Sequence, residues 1–510
     1  MMYKVANCGA GINFDLSAEE LGDGVWSASE NIRFSSGYAR LFGGFKQTLT
    51  APAVTPYFIT HYATTTTRFI VHAGISAIYV DDGNTRTDIT GTAPTGAINN
   101  RWTGGSLNGV LVLNNGVDIP MFWGGNTAVN LASLTGWNAA WKAKSIRPFK
   151  NFLIALNITK STTVYPHMVK WSDIAVPGSI PASWDEANAA LDAGEVDLAE
   201  TPDLLVDCLP MGDVNIIYKE RSMYAMSYIG APYIFRFQRL PGNYGLLAPG
   251  CVVDTPVGHV VLTAGDVVLH SGSQPISIAN SIVRDYIFDN IDSNHYQRSF
   301  VTLNPKENEV WICFPHGSSA TCNRACVWNW IDKTWSIRTL DNATYGSYGQ
   351  IDEVDATDTW AAVTGSWDDS VITWNGNRYS AVESRLFMCH STPKLSVVDG
   401  TTSDFGSAIP AYMARTGITM GSPETVKTVR SVYPRFDGVD GTTISIQVGS
   451  SMAANAATTW QPAQTFTIGT DLKIDSFATG RYIAVKFTNV AYANWRMRSF
   501  DIDFVTQGRY

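Results

Sequence analysis

The chain has 510 residues, a length that fits about three ordinary domains or one larger repeat fold. Charged residues make up only 16% and apolar residues 45%, and with Gly 43, Trp 16 and Tyr 21 this is the mix of an all-β chain rich in tight turns. A formal charge of −9 argues against tight duplex binding, which draws on Lys and Arg meeting phosphates, and leaves passive contact with DNA open.

Residues 1–50 read as an irregular lead-in. Gly9 and Gly11 match the start of a dinucleotide fingerprint, but Phe14 takes the place of the third glycine and no strand is expected before it. Ser17 and Glu20 have capping-box spacing for a single helical turn. Residues 31–34 read as a strand running into a Ser35-Ser36-Gly37 turn. The N-terminus lacks a basic start followed by a long apolar run, so no signal peptide is expected, and the most continuous apolar stretch, 152–158, is too short to span a bilayer.

From about 51 to 415 a hairpin unit recurs. Its clearest copy is 69–84 and its second 110–126, each a short apolar strand, a glycine-bearing turn, a second apolar or aromatic strand and a Gly-Asn turn. Further copies start near Phe152, Met223, Val260, Val310 and Leu386. The first three starts are about 41–42 residues apart, the spacing of a four-stranded propeller blade. One hairpin cannot bury its apolar face alone, so a series implies stacking round a shared core. The expected fold is therefore an all-β propeller-like repeat domain, with stacked sandwiches as the competing architecture.

Between the Phe152 and Met223 copies lies the longest insert. Its portion 172–213 holds ten acidic residues and no Lys or Arg, so the rest of the chain carries 36 basic against 35 acidic side chains. Asp185, Glu186, Asp192, Glu195, Asp197, Glu200 and Asp203 form the candidate acidic element, facing a channel or a partner, with a solvated surface excursion as the plainer reading. Ser183 and Glu186 again have capping-box spacing, and Gly194 is a plausible stop, so a helix is expected over about 184–193. Residues 416–510 differ: alternating strands at 443–448, 465–468, 481–487 and 498–504 predict a compact β-sandwich, with a boundary near 414–421.

Candidate chemistry is sparse. Seven cysteines at irregular spacing argue for reduced thiols rather than a disulfide framework. Cys313, His316, Cys322 and Cys326 have metal-like composition, and Cys322 and Cys326, four apart, are expected on one strand face, but paired C-x2-C knuckles are missing. The eight histidines are dispersed, with no metalloprotease, nucleophile-elbow or phosphate-loop motif. Asp81-Asp82 and Asp368-Asp369 are adjacent pairs whose side chains point apart on a strand; Asp81-Asp82-Gly83 is read as a turn and His72 as a strand residue. Trp328, Trp330 and Trp335 suit either sugar stacking or wedges between blades. No catalytic residue, cofactor or metal is assigned.

Taken together, residues 12–16, Leu21, Val25-Trp26, Asn31-Ile-Arg-Phe34 and Gly43-Gly44 resemble the opening of the short-tailed phage tail nozzle proteins, also described as tail tubular protein B-like or packaged-DNA stabilisation proteins. Residues 168–173, 274–290, 310–315, Trp328, Trp335-Ser336 and Gly480-Arg481-Tyr482 extend the resemblance over most of the chain. Where such proteins often carry Arg-Pro-Gly, this chain has Arg40-Leu-Phe-Gly43. The resemblance implies a structural virion protein with a propeller and additional β-domains, made in the host cytoplasm. It would form a homo-hexameric ring that continues the DNA channel below the portal and adaptor, helping to retain and eject the genome. A needle, plug, fibre or tailspike would close or decorate the far end, and no catalytic residues transfer. The alternatives are a carbohydrate-binding or glycosidase β-propeller and an intracellular propeller scaffold.

Overall fold

The computed structural model describes residues 1–83, 85–350, 384–454, 456–489 and 494–509. The expected Asp368-Asp369 pair and Asn84 lie outside them. The chain is almost wholly β, built as a propeller with a β-sandwich on its flank.

Five separate antiparallel meanders of four strands each make blades one to five, opening with Phe58–Ala63, Thr103–Leu107, Trp141–Phe149, Leu205–Met211 and Val252–Thr255. Blade six consists of Phe300–Asn304, Glu309–Phe314, Cys322–Asn329 and the first half of the long strand Trp335–Gly349. The second half of that strand opens blade seven, followed by Arg385–His390 and Lys394–Thr401. The outermost strand of blade seven comes from the lead-in: Gly44–Gln47 pairs with Lys394–Thr401 through Gln47 opposite Ser396 and Lys46 opposite Val397. One end of the chain thus latches the ring against opening at its seam, bringing the blades to seven among the described residues.

The recurring hairpin is the second and third strand of a blade. Phe69, Val110, Phe152, Val260, Val310 and Leu386 all fall in second strands, whereas Met223 opens the third strand of blade four. The second strand there, Val214–Lys219, carries Asn215 near its start, which breaks the apolar run that marks the other copies.

The lead-in is not an appendage. Met2–Val5 and Tyr38–Leu41 both pair with the C-terminal strand Trp495–Arg509, and Ala28–Glu30 pairs with Tyr412–Ile418. The sandwich therefore packs one sheet of Met2–Val5, Trp495–Arg509 and Thr425–Gly438 against another of Ala28–Glu30, Tyr412–Ile418, Tyr482–Asn489 and Thr443–Ser451. Trp26, Met413, Val432, Phe487, Phe500 and Ile502 fill the space between. The expected boundary near 416 falls inside Tyr412–Ile418, and the expected lead-in 1–50 divides its strands between sandwich and propeller. Composition marked the turn-rich N-terminus as irregular because its strands are short and find partners hundreds of residues away. A strand does precede Gly9, but it pairs with the C-terminal strand and no helix follows.

Ile32–Ser35 joins the first half of Trp335–Gly349 to Tyr38–Leu41, so the sheet of blade six runs on into the sandwich. The junction is polar and buried. The Arg33 guanidinium donates to Glu309 at 2.6 and 3.0 Å and to Asp399 at 2.7 Å. Burial alone would lower its proton affinity, yet Asp399, Glu309 and Glu307 raise it well above the usual value. Asn31, at positive φ, accepts from Arg338 and from the Thr339 amide and donates to Thr339 and the Pro410 carbonyl. Beside them, a Cβ on Gly44 would stand 2.0 Å from the Ser403 carbonyl oxygen, so only glycine fits where the latch strand begins.

The one α-helix among the described residues, Arg284–Asn290, was not expected from sequence; it follows blade five and buries Ile287.

Candidate functional site

The acidic segment 172–213 is not an insert. It is the outer wall of blade three and the first strand of blade four: Gly194–Asp197 pairs with Thr163–Trp171, and Leu205–Met211 opens the next meander. The expected helix over 184–193 does not form. The Ser183 hydroxyl accepts from the Asp185 amide rather than from Glu186, Asp185 accepts from the Ala187 amide, and Asn188 from that of Ala190. These short side chains satisfy the backbone in successive turns, which competes with the helix. Glu186 is drawn instead toward two lysines. Gly194, expected as a stop, begins a strand.

Lys160 and Lys170 lie beside the Trp141 ring, at 5.1 and 4.9 Å from its centroid. Lys160 donates to Glu195 at 2.7 Å, and Lys170, wholly buried, bonds Glu186 and reaches Glu195 at 3.1 Å. Burial pushes the Glu186 carboxyl up, but Lys170, its own amide and Lys160 bring it down to about 2. Asp203 belongs to a second cluster, accepting from the Arg221 amide and Ser222 hydroxyl at 2.9 Å and facing Lys219 at 3.5 Å. It too falls to about 2, with its hydrogen bonds outweighing burial. Asp185, Asp197 and Glu200 are exposed and Asp192 is half-buried. The structure therefore does not gather the seven candidates into one site: Glu186 and Glu195 share a lysine pair, Asp203 has its own partners, and the exposed acids are spread along the blade-three wall.

Sequence reasoning missed the centre of the propeller. Asp207, counted with the acidic segment, is fully buried and takes both ends of the Arg147 fork at 3.0 and 2.7 Å, with the Ser145 hydroxyl at 2.6 Å and the Gly250 amide at 3.3 Å. Burial raises its carboxyl and Arg147 more than reverses this, leaving it below the usual range. Arg147 also donates to the Gly104 carbonyl at 3.1 Å. The Tyr345 ring, from blade seven, lies 5.1 Å from Phe58 and 5.4 Å from Phe300, under the Arg101 guanidinium at 5.4 Å and close against Gly250. Side chains from six blades, with the Gly250 backbone at the entry to blade five, thus meet near the axis. Nothing local flags Tyr345 or Arg147; only the closing of the ring brings them together.

The other candidates are structural. The cysteines among them are buried, and burial holds the thiols of Cys313, Cys322 and Cys326 far above their ordinary value. A bulge between Cys322 and Arg324 breaks the alternation, so Cys322 packs with Cys313 while Cys326 packs on the other face, contrary to expectation. Asp81 is no turn residue: it ends a strand, buried, bonded to His72 at 3.0 Å and to Arg86 at 3.1 Å, while Asp82 caps the turn through the Thr85 amide. His72 is a strand residue whose proton affinity burial lowers. The indoles of Trp328, Trp330 and Trp335 are 2%, 5% and 1% exposed, which leaves no face for a sugar.

No protein-family model matches the chain, and no curated protein matches it. Among solved structures, the chain is similar to the WD40 β-propeller domain of Doa1, at 9% identity and a TM-score of 0.39, over 70% of this chain and 97% of that one. The propeller assignment rests on the blades themselves.

Proposed function

We propose that the chain is a structural protein of a short-tailed phage tail, a nozzle subunit that assembles as a homo-hexamer and continues the DNA channel below the adaptor. The observation that carries this is where the nozzle-like residues lie. Trp26 sits at the centre of the sandwich, Asn31 and Arg33 form the buried junction, Gly44 begins the latch strand, and Trp335-Ser336 face that junction from blade six. Several of the residues that carry the resemblance thus lie where the sandwich joins the propeller, as a wall element built of two joined bodies requires. The axis of the propeller is packed, so in this reading DNA passes between subunits. Asp185, Asp197 and Glu200, left free by the lysine clusters, face the lumen or a neighbouring subunit, where negative charge would repel the duplex and let it slide. A needle, plug, fibre or tailspike would meet the distal end.

Dissociating purified virions and counting this chain by quantitative mass spectrometry tests the reading. A content near six copies per particle supports it. Absence from particles, or glycan hydrolysis by the isolated monomer, overturns it.

A further inference from the structure

Apart from the N-terminal Met1, the most exposed large apolar side chains among the described residues are Leu472, Tyr233 and Phe477, at 84%, 75% and 73%. They fall at two places. The first spans blades three and four. Tyr228, Ile229 and Tyr233 stand at the tip of the hairpin that joins Met223–Gly230 to Ile234–Arg239. Exposed Ile174 and Val176 stand beside it. The Ala175 amide between them donates to the Asn151 carbonyl at 2.8 Å, and Lys150 lies 5.7 Å from the Tyr228 ring, so both groups flank one turn. Beneath them Tyr228 and Phe149 pack ring to ring with Phe152 and Phe235, which makes the patch the outer end of the core between the two blades. Its flank is acidic. The Asp173 amide donates to the Ser183 carbonyl and its carboxylate accepts from the Asp192 amide, bringing Asp185 and Asp192 alongside Ile174. Lys150 is answered by Asp213 at 3.6 Å.

The second place is the far edge of the sandwich. The strand Ile474–Asp475 ends the sheet that begins in blade six and pairs only with Thr425–Gly438. Leu472 and Phe477 project on either side of it. The Ser476 amide donates to the Arg430 carbonyl, which sets exposed Arg430 next to Phe477; no carboxylate among the described residues pairs with Arg430. Lys473 is held by Asp475 at 2.7 Å. Blade three stands three blades from six and three from seven, so it lies across the ring from the seam that carries the sandwich. The two apolar surfaces are therefore at opposite ends of the molecule. Their segments also differ in charge: 172–213 has ten acidic residues and no Lys or Arg, whereas 416–510 has nine basic and seven acidic residues.

We infer that these two surfaces bind each other between copies of this chain: the patch on blades three and four of one copy receives Leu472 and Phe477 of the next. Contiguous exposed apolar residues with a polar rim mark an interaction surface. The acidic flank of one and the basic flank of the other favour this pairing over either surface meeting itself. A contact between unlike surfaces at opposite ends repeats head to tail, and it closes into a ring when the rotation fits. The inference deepens the hexamer reading and rests on it for that closure.

The purified full-length protein is sized by sedimentation velocity over a concentration series. The parent is expected to form multimers. Ile229→Ser with Tyr233→Ser on the first surface, and Leu472→Ser with Phe477→Ser on the second, are each expected to weaken association by about tenfold or more. Ile75→Ser, exposed on blade one, should leave association unchanged. Where a double variant fails to fold, Arg430→Glu replaces it and is expected to weaken association in the same direction. Mixing the two double variants is the sharpest arm: each keeps one intact surface, so the mixture should form dimers and stop there. A mixture that stays monomeric, a double variant that assembles like the parent, or a parent that is monomeric throughout overturns the inference. A sixfold ring that survives both double variants overturns this contact while leaving the ring reading standing, and the copy number in virions judges that reading separately.

Discussion

The first fifty residues and the acidic segment 172–213 look alike in sequence: both are turn-rich interruptions of a repeat. Their roles are opposite. The first fifty supply the latch of blade seven, three strands that join the sandwich and the Arg33 junction. The acidic segment only finishes one blade and starts the next, and its net charge overstates what it can offer a partner, because Glu186, Glu195, Asp203 and Asp207 are engaged within the chain. The difference teaches that a segment's importance to a closed β fold lies in how far away its hydrogen-bond partners are.

The largest test of that contrast is Arg33→Met. It strands Glu309 and Asp399 without their cation, and breaking a buried network of this kind costs about 3–5 kcal/mol, read from the denaturation midpoint. A loss below about 1 kcal/mol would show that the junction is not held this way. Acidification comes next. In blade five, His259 bonds Tyr218 at 2.8 Å and the Pro210 carbonyl at 3.0 Å, with Asp254 at 3.8 Å, and lies across from His270. Burial lowers both to about 4. Between the ordinary value near 6.5 and about 4 the unfolded chain binds protons that the folded one does not, so stability is full above that window and falls through it on acidification. Glu186 and Asp203, held near 2, add a second fall between about 4.5 and 2. Replacing both histidines with glutamine should shrink the first fall, leaving the share of His72 and His390, whose proton affinity burial also lowers, and should leave the second unchanged.

Within the acidic segment the effects shrink. Lys170→Met leaves Glu186 and Glu195 sharing only Lys160, for an expected loss of about 1–3 kcal/mol. Asp185→Asn and Glu200→Gln, both exposed, should stay within about 0.5 kcal/mol of the parent. A larger change from either would mean that the exposed acids are engaged after all.

Much of the propeller was legible because blades repeat locally: six of seven hairpin starts fall in second strands, and the sandwich strands at 443–448, 465–468, 481–487 and 498–504 appear nearly where alternation put them. The latch was not legible, because Gly44–Gln47 is four residues long and its partner lies some 350 residues on. The capping box at Ser183 misled because a spacing rule cannot see Lys170, whose pull on Glu186 depends on the third strand of blade three. The axial cluster of Arg101, Arg147, Asp207 and Tyr345 leaves no local trace, since each residue comes from a different blade.

The most direct test of the central claim is a reconstruction of purified tails by electron microscopy, with the position of this chain resolved. The account predicts a sixfold ring whose DNA-wide hole lies between subunits, every propeller axis closed, and the 185–200 wall facing that hole or a neighbour. A ring with nucleic acid threaded through a propeller, or a chain present only as a single copy outside any ring, would contradict it.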